Sequence, residues 1–379
     1  MLSSTISRLR CPQCSKPFAE SLSVHDSQLA RQRVTERSSG NLSCRSCRAN
    51  YPIIGGVALL VQDVRSYILD HVKGITQVVA DEEIPSEFRR EFIREKKSIL
   101  TEHIEEDLEA ERVNALYLMN HYLRVKSVEP DQMPWWKPLT GEGSPEIDAL
   151  IRKHWDHGPF SHIEKLISRL ATDSSSPLAA VELGCGVGGL YSTLKPRLGL
   201  YLGVDSSFVS IALARHLNLG VPYRGKLRIP GDLLLGTVSR DIRLPIPKGW
   251  PNDLDDKVDF VVGDIQNAPV LAGNWDVSIV LNAIDMLEEP AELPKLQYEL
   301  LKKGGLAVQS CPYIWHAATA AALRKILPRE VRDSASAVEW LYQKAGFSVH
   351  REASHIPWLF YKHLRQLEIY SVHLFSAVK

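Results

Sequence analysis

The sequence predicts an α/β fold with a largely parallel sheet, preceded by a small cysteine-bearing module and a charged helical stretch. Three observations predict it. Two Cys-x-x-Cys pairs fall within the first 47 residues; apolar strand-like runs alternate with helical patterns from about residue 160 onward; and the first of those runs leads into a glycine-rich turn. With 379 residues, the chain can hold a main domain of roughly 200 residues and a smaller one. The expected division is 1–61 for the cysteine module, 62–150 for the helical linker and 151–379 for the α/β domain.

Hydrophobic residues make up 44% and charged residues 24%, a globular balance with little room for a mostly disordered chain. Lys+Arg and Asp+Glu both total 45, so no overall field favours nucleic acid or an anionic membrane. No apolar run reaches the roughly 18 residues of a membrane helix, and MLSSTISRLR lacks a secretory apolar stretch. A cytoplasmic protein with no membrane partner is expected. In a reducing compartment the clustered cysteines point to metal rather than disulfides.

The cysteine module closes in YPIIGGVALL, which mixes turn and strand signals. Over half of residues 81–112 are charged, with Phe88, Phe92, Ile99, Ile104 and Leu108 near helical spacing, the pattern of solvated linking helices. Pro and Gly breakers at 129–145 place a boundary there. Strands are expected at 178–183, 200–204, 258–262, 275–281 and 305–310, and helices at 161–171, 189–197, 207–217, 289–303 and 334–345. The segments 346–355 and 370–379 leave no room for a crossover helix and should pair antiparallel at the sheet edge. The Pro-, Gly- and Asp-rich stretch 218–257 reads as a long insertion loop.

Cys11, Cys14, Cys44 and Cys47 form two tight CxxC turns, each able to place two thiolates on one ion. Four thiolates complete a tetrahedron and leave the metal closed to substrate, so zinc here should fold the module rather than catalyse. LRCPQC, CRSC and YPIIGGVALL resemble the zinc-ribbon activator subunit of tRNA, rRNA and release-factor methyltransferases. That family reads Asp-Gly-Ile-Pro where this chain has Gly55, Gly56, Val57 and Ala58. The resemblance implies a zinc ribbon that holds a methyltransferase, here expected to pack on its own catalytic domain.

AAVELGCGVGGLYSTL (179–194) carries Gly184, Gly186 and Gly188 between a strand and a helix, where backbone can approach a ligand closely. Asp205 ends the next strand, where a carboxylate can hold two ribose hydroxyls. Gly184, Gly186 and Gly189 also satisfy the dinucleotide pattern GxGxxG, so a nicotinamide or flavin enzyme is a second reading. Glu182 favours a cationic amino-acid moiety and would repel a pyrophosphate. Asp264, after a third strand, suits an adenine amino group, with Ile265 able to pack on the ring. From residue 160 to 379 the order of motifs resembles class I methyltransferases, which implies a Rossmann-like seven-stranded methyltransferase sheet. By that resemblance Glu182, Gly184, Gly186, Gly188 and Asp205 bind the methionine and ribose parts of S-adenosylmethionine, and Asp264 and Ile265 bind adenine.

Substrate-facing residues are expected after the fourth and fifth strands: Asn282, Asp285, Tyr313 and Trp315. LNAIDM replaces the Asn/Asp-Pro-Pro-Tyr tetrapeptide of enzymes that methylate base or glutamine amino groups. ELGC, VGD before Asn, LNAID ahead of EEP, KKGG, PYIW and IPWLFYKHLRQ are similar to the N-methyltransferase domain of ovothiol biosynthesis, which methylates the imidazole of a mercaptohistidine. Met286 stands where that family has Arg, and Cys311 where it has Ser. The resemblance implies N-methylation of a small histidine-like or other nitrogenous metabolite, with Asp285, Tyr313 and Asn282 catalytic and Trp315 substrate-binding. Asp285 reads equally as a helix cap, and Tyr313 and Trp315 as core. His316, His355 and His363 read as structural, while His154 and His157 fall where such enzymes cover their cofactor. The enzymatic rival is a methyltransferase of peptide, protein or RNA that docks through the ribbon; the other rival is a non-catalytic scaffold.

Overall fold

In the computed structural model, residues 3–18, 40–102, 117–118, 120–122, 146, 149, 153–154, 158–218, 223–232, 237–244, 257–363 and 366–379 are described. The 129–145 breaker stretch and His157 lie outside them. Leu178–Leu183 (LAAVEL) is apolar at all but one position, and it forms a strand buried at every residue, the middle of a mixed sheet.

Twelve strands are described: β1 Gly40–Ser43, β2 Asn50–Ile54, β3 Val57–Leu60, β4 Leu178–Leu183, β5 Leu198–Asp205, β6 Tyr223–Asp232, β7 Thr237–Leu244, β8 Val258–Gly263, β9 Trp275–Leu281, β10 Leu301–Cys311, β11 Ser348–His363 and β12 Gln366–Val378. In the α/β domain the order is β8-β5-β4-β9-β10-β12-β11. The first five strands are parallel; β12 runs antiparallel between β10 and β11. This is the Rossmann-like methyltransferase sheet the sequence predicts, with the final pair antiparallel as expected. Two apolar clusters, one built around Tyr201, Phe208 and Phe260 and the other around Trp275, Tyr342 and Phe375, complete the core.

The sheet nevertheless has ten strands among the described residues, not seven. The cysteine module supplies the extra three. β1 and β2 pair antiparallel, β2 pairs with β3, and β3 continues the large sheet by pairing in parallel with β8 through Leu59↔Val262 and Leu60↔Gly263. The reason is in VALL: all four residues of β3 are buried, Val57 and Leu59 in one core cluster and Ala58 and Leu60 in the other, and such a strand needs a place inside a sheet covered on both faces, with an edge free for its hydrogen bonds. The open side of β8 offers it. Gly55 and Gly56 join β2 to β3 with φ of 55° and 81°, the left-handed pair that a two-residue hairpin requires. A Cβ on Gly55 would lie 2.5 Å from Val79 Cγ1, so the Gly in place of the ribbon family's Asp makes room for the linker.

The linker begins directly after β3. Asp63 caps the helix Val64–Asp70 by accepting from Ser66 N at 2.9 Å. Helices Val72–Thr76 and Ser86–Glu102 follow; Arg65 ties the first helix to the last through Glu91, and Lys96 of the last reaches Asp81 in the turn before it. Part of the 218–257 insertion, expected as loop, forms the antiparallel hairpin β6–β7. No helix among the described residues is long and apolar enough to cross a membrane.

Candidate functional site

The cysteine turns are near copies of each other. Ser15 N donates to Cys11 O at 2.8 Å and Arg48 N to Cys44 O at 2.7 Å, while Ser15 and Arg48 hold φ of 57° and 63°. The turns bring all four Sγ atoms within 4.8 Å of one another, with Cys11–Cys47 and Cys14–Cys44 at 3.6 Å. Tetrahedral zinc with bonds of about 2.3 Å requires sulfur separations of about 3.8 Å, so the donor set fits that ion. The four thiols share protons unevenly: burial raises Cys44, but backbone N–H groups of Cys47 and Ser46 outweigh it and bring it down to about 6, whereas burial and hydrogen bonds with the other thiols push Cys47 up to about 12. Tyr51 Oη lies 3.0 Å from Cys11 Sγ.

The module also grips the chain that follows β8. Arg10 N donates to Pro269 O at 3.1 Å, Arg10 Nε to Ala268 O at 3.0 Å, and Leu271 N to Arg8 O at 2.8 Å. Asp264, which is exposed and accepts from Gln266 N at 2.9 Å, therefore sits between a β3-paired segment and an Arg10-held segment.

At the carboxyl end of β4, Gly184, Gly186 and Gly188 have φ of 76°, 51° and 71°. A Cβ on Gly184 would meet Ile265 Cδ1 at 3.0 Å and Ala283 Cβ at 3.3 Å, so the ends of β4, β8 and β9 converge there. A Cβ on Gly188 would strike Phe260 at 2.5 Å, whereas Gly186 faces open space. Gly188 is thus a packing glycine and Gly186 the one that leaves room. Asp205 Oδ2 accepts from Gly186 N at 2.9 Å and Oδ1 from Ser207 N at 2.8 Å; burial raises its pKa, against those two donors.

Glu182 is only 3% exposed, and the Tyr201 hydroxyl donates to its carboxylate. Burial pushes its pKa up to about 8, with the Tyr201 bond opposing and Asp205 adding to the rise. Sequence reasoning missed three neighbours. Tyr67, from the first linker helix, donates to Ser206 O at 2.5 Å. Tyr122 donates to Val187 O at 2.5 Å and accepts from Asn218 Nδ2 at 3.0 Å, and His121 Cβ lies 2.5 Å from where a Gly189 Cβ would be. Helical residues near 120 therefore cover the glycine turn, with Phe160 edge-on to His121. The predicted covering stretch contributes Phe160, while His154 is half-buried.

The expected acceptor residues gather at the ends of β9 and β10. Asn282 and Tyr313 hold φ of 53° and 61°, left-handed conformations that non-glycine residues adopt under constraint. Asn282 N donates to Ser310 O at 2.8 Å and its Oδ1 accepts from Ser310 Oγ at 3.2 Å. Asp285 is 3% exposed; Oδ2 accepts from Ile314 N at 2.6 Å, and Oδ1 is buried without a hydrogen bond. The carboxylate ties the β9 loop to the β10 loop and makes no helix-cap bond. Tyr313 and Trp315 stack with centroids 5.9 Å apart, both half-buried, and Trp315 Nε1 donates to Ser334 Oγ at 3.0 Å. His316 is exposed and His355 Nδ1 lies 3.0 Å from Ser371 Oγ, away from this group.

Strand order and glycine turn define a Rossmann-like α/β fold. No family model and no curated relative matches the chain. Solved structures resemble it distantly: magnesium protoporphyrin IX methyltransferase of Synechocystis with S-adenosylhomocysteine (16% identity, 71% of this chain and 99% of that one, TM-score 0.35), and a chain from a complex of the Haloferax volcanii Trm112 methyltransferase activator (16%, 56% and 86%, 0.35). A Haemonchus contortus phosphoethanolamine N-methyltransferase is a third (12%, 68% and 59%, 0.36).

Proposed function

We propose that the chain is an S-adenosylmethionine-dependent methyltransferase of a small nitrogenous metabolite, histidine-like in chemistry. One observation carries it: two carboxyl groups, the buried Glu182 and the half-buried Asp205, flank a glycine turn that leaves space at Gly186. A pyrophosphate would face the Asp205 carboxylate, which would instead hold a ribose diol; Glu182, whose pKa burial raises, would ionise with a cationic amino-acid moiety beside it. Asp205 would hold the ribose hydroxyls, Asp264 and Ile265 the adenine, and Gly184 and Gly186 the close backbone path, with Gly188 packing the turn on Phe260. When bound, S-adenosylmethionine would supply a methyl group on a sulfonium that leaves as a neutral thioether. The chain's own task is then to align an unprotonated nitrogen and exclude water. Asn282, Asp285 and Tyr313 stand where that nitrogen would be oriented, and Trp315 would wall the pocket.

The four cysteines would hold zinc as a structural ion, and the ribbon would act in cis by bracing the adenine side of the site. Transfer of labelled methyl from S-adenosylmethionine into a fractionated cell extract tests the whole reading. Label in a small imidazole or amino compound is the expected result. Label confined to protein or RNA would replace it with the ribbon-docking alternative, and failure to bind the cofactor would leave a scaffold.

A further inference from the structure

The Tyr313 hydroxyl does not end in solvent. It lies 2.6 Å from Nδ1 of His373, a β12 side chain that is 3% exposed. On the far side of that ring, Nε2 is 3.1 Å from Glu339 Oε1, within ion-pair distance but off the line of a hydrogen bond. Glu339 is fixed in turn by Arg351, with Nε to Oε1 at 2.7 Å and Nη2 to Oε2 at 2.8 Å. Four side chains from the β10 end, β12, the helix Ser334–Lys344 and β11 thus form one line. Its first member is one of the two backbone-constrained residues of the acceptor end.

We infer that Tyr313, His373 and Glu339 form a hydroxyl–imidazole–carboxylate relay that takes the proton lost by the acceptor nitrogen. This rests on the methyltransferase reading above. Once the nitrogen lone pair has taken the methyl group the acceptor is cationic; one of its N–H bonds breaks and the proton joins Tyr313 Oη, while the Oη–H bond breaks and that proton joins His373 Nδ1. The resulting imidazolium pairs with Glu339, and solvent removes the proton after turnover. The arrangement follows the logic of a hydroxyl, a base and an orienting carboxylate, here with tyrosine as the first group. His373 acts through Tyr313 and is a positioning residue.

His373 must be neutral to accept a proton. Burial lowers its pKa below the usual histidine value and Arg351 adds to this, while Glu339 and Asp333 oppose it. Cys311, its register partner on β10, and Tyr313 are both held protonated by burial. His373 is therefore ready to accept at neutral pH, and the 3.1 Å gap to Glu339 becomes an ion pair only once it does so.

The test uses the full zinc-loaded chain, labelled S-adenosylmethionine and a deproteinised small-molecule extract as acceptor pool. Tyr313→Phe and His373→Gln should each slow transfer by about 100-fold with cofactor affinity unchanged. The double variant should be no slower than the slower single, because both substitutions break one chain. Losses that multiply, or a wild-type rate in His373→Gln, would overturn the relay. In the wild-type chain, nitrogen-15 spectra should show neutral His373 at pH 7 with its proton on Nε2; a proton on Nδ1 would overturn it even if the variants fail to fold. Wild-type protein that binds cofactor but labels no small molecule would instead defeat the underlying methyltransferase reading.

Discussion

The carboxyl edge of the sheet has two halves built by different means. Around β8, β5 and β4, the groups proposed to face the cofactor are set by backbone: three left-handed glycines, N–H groups of Gly186 and Ser207 on Asp205, and β3 pairing beside Asp264. Around β9, β10 and β12, they are set by side chains reaching across the fold, Asp285 to Ile314 and Tyr313 to His373. Backbone constraints admit few sequences and stay the same for any acceptor. Side-chain lines can be rewired one residue at a time, which suits the half that must distinguish substrates.

The contrast can be broken most forcefully at the metal. Structural zinc contributes about 10 to 16 kcal/mol in finger peptides, so chelation should strip hydrogen-exchange protection from β1–β3 first and β8 next, leaving β10–β12 protected. Equal loss in both halves would mean the ribbon does not brace one side selectively. Second in size, Asp205→Ala should weaken cofactor binding by more than about 100-fold, since charge-assisted hydrogen bonds to two hydroxyls contribute about 1.5 to 3 kcal/mol each. Wild-type affinity in calorimetry would remove the ribose assignment.

Smaller effects sharpen the picture. Tyr67→Phe removes one hydrogen bond to the Ser206 carbonyl and should raise the cofactor Kd by about fivefold with the rate at saturation unchanged. A fall in saturated rate alone would place Tyr67 in the wrong half. Last is a pH effect at Glu182, whose pKa rises from 4.5 to about 8 on folding. A raised pKa means the stability it gives is full below pH 4.5 and lost as pH climbs through about 8. Melting of the cofactor-free protein should therefore move to lower temperature across that window, and Glu182→Gln should flatten the trend. A slope that survives the substitution belongs to another group.

These differences also explain what was legible. CPQC and CRSC, the Gly184–Gly188 turn and Asp205 are local patterns whose geometry is set within a few residues, and the strand ends that carry them could be read directly. The sheet order followed from alternating apolar runs. That β3 would join β8 was not legible, because 200 residues separate partners whose only signal is that VALL is apolar on both faces. Tyr122 over Val187 and Tyr67 on Ser206 are equally distant. His373 was hidden for another reason: in SVHLFSAV, alternation suggests a polar residue facing water, but β12 runs between β10 and β11, and that face is covered by the helix bearing Glu339.

The pairing of β3 with β8 has one more consequence. Without it, β8 would present a row of bare amide and carbonyl groups in an apolar strand, the kind of surface on which another chain can add itself. The outer strand at the opposite end, β11, carries Pro357 and register breaks that discourage such addition; β8 carries no such breaks and is covered instead by a neighbour. Under the proposed zinc site, loss of metal from Cys11, Cys14, Cys44 and Cys47 at the far end of the ribbon would then be felt as self-association, making metal supply a determinant of solubility.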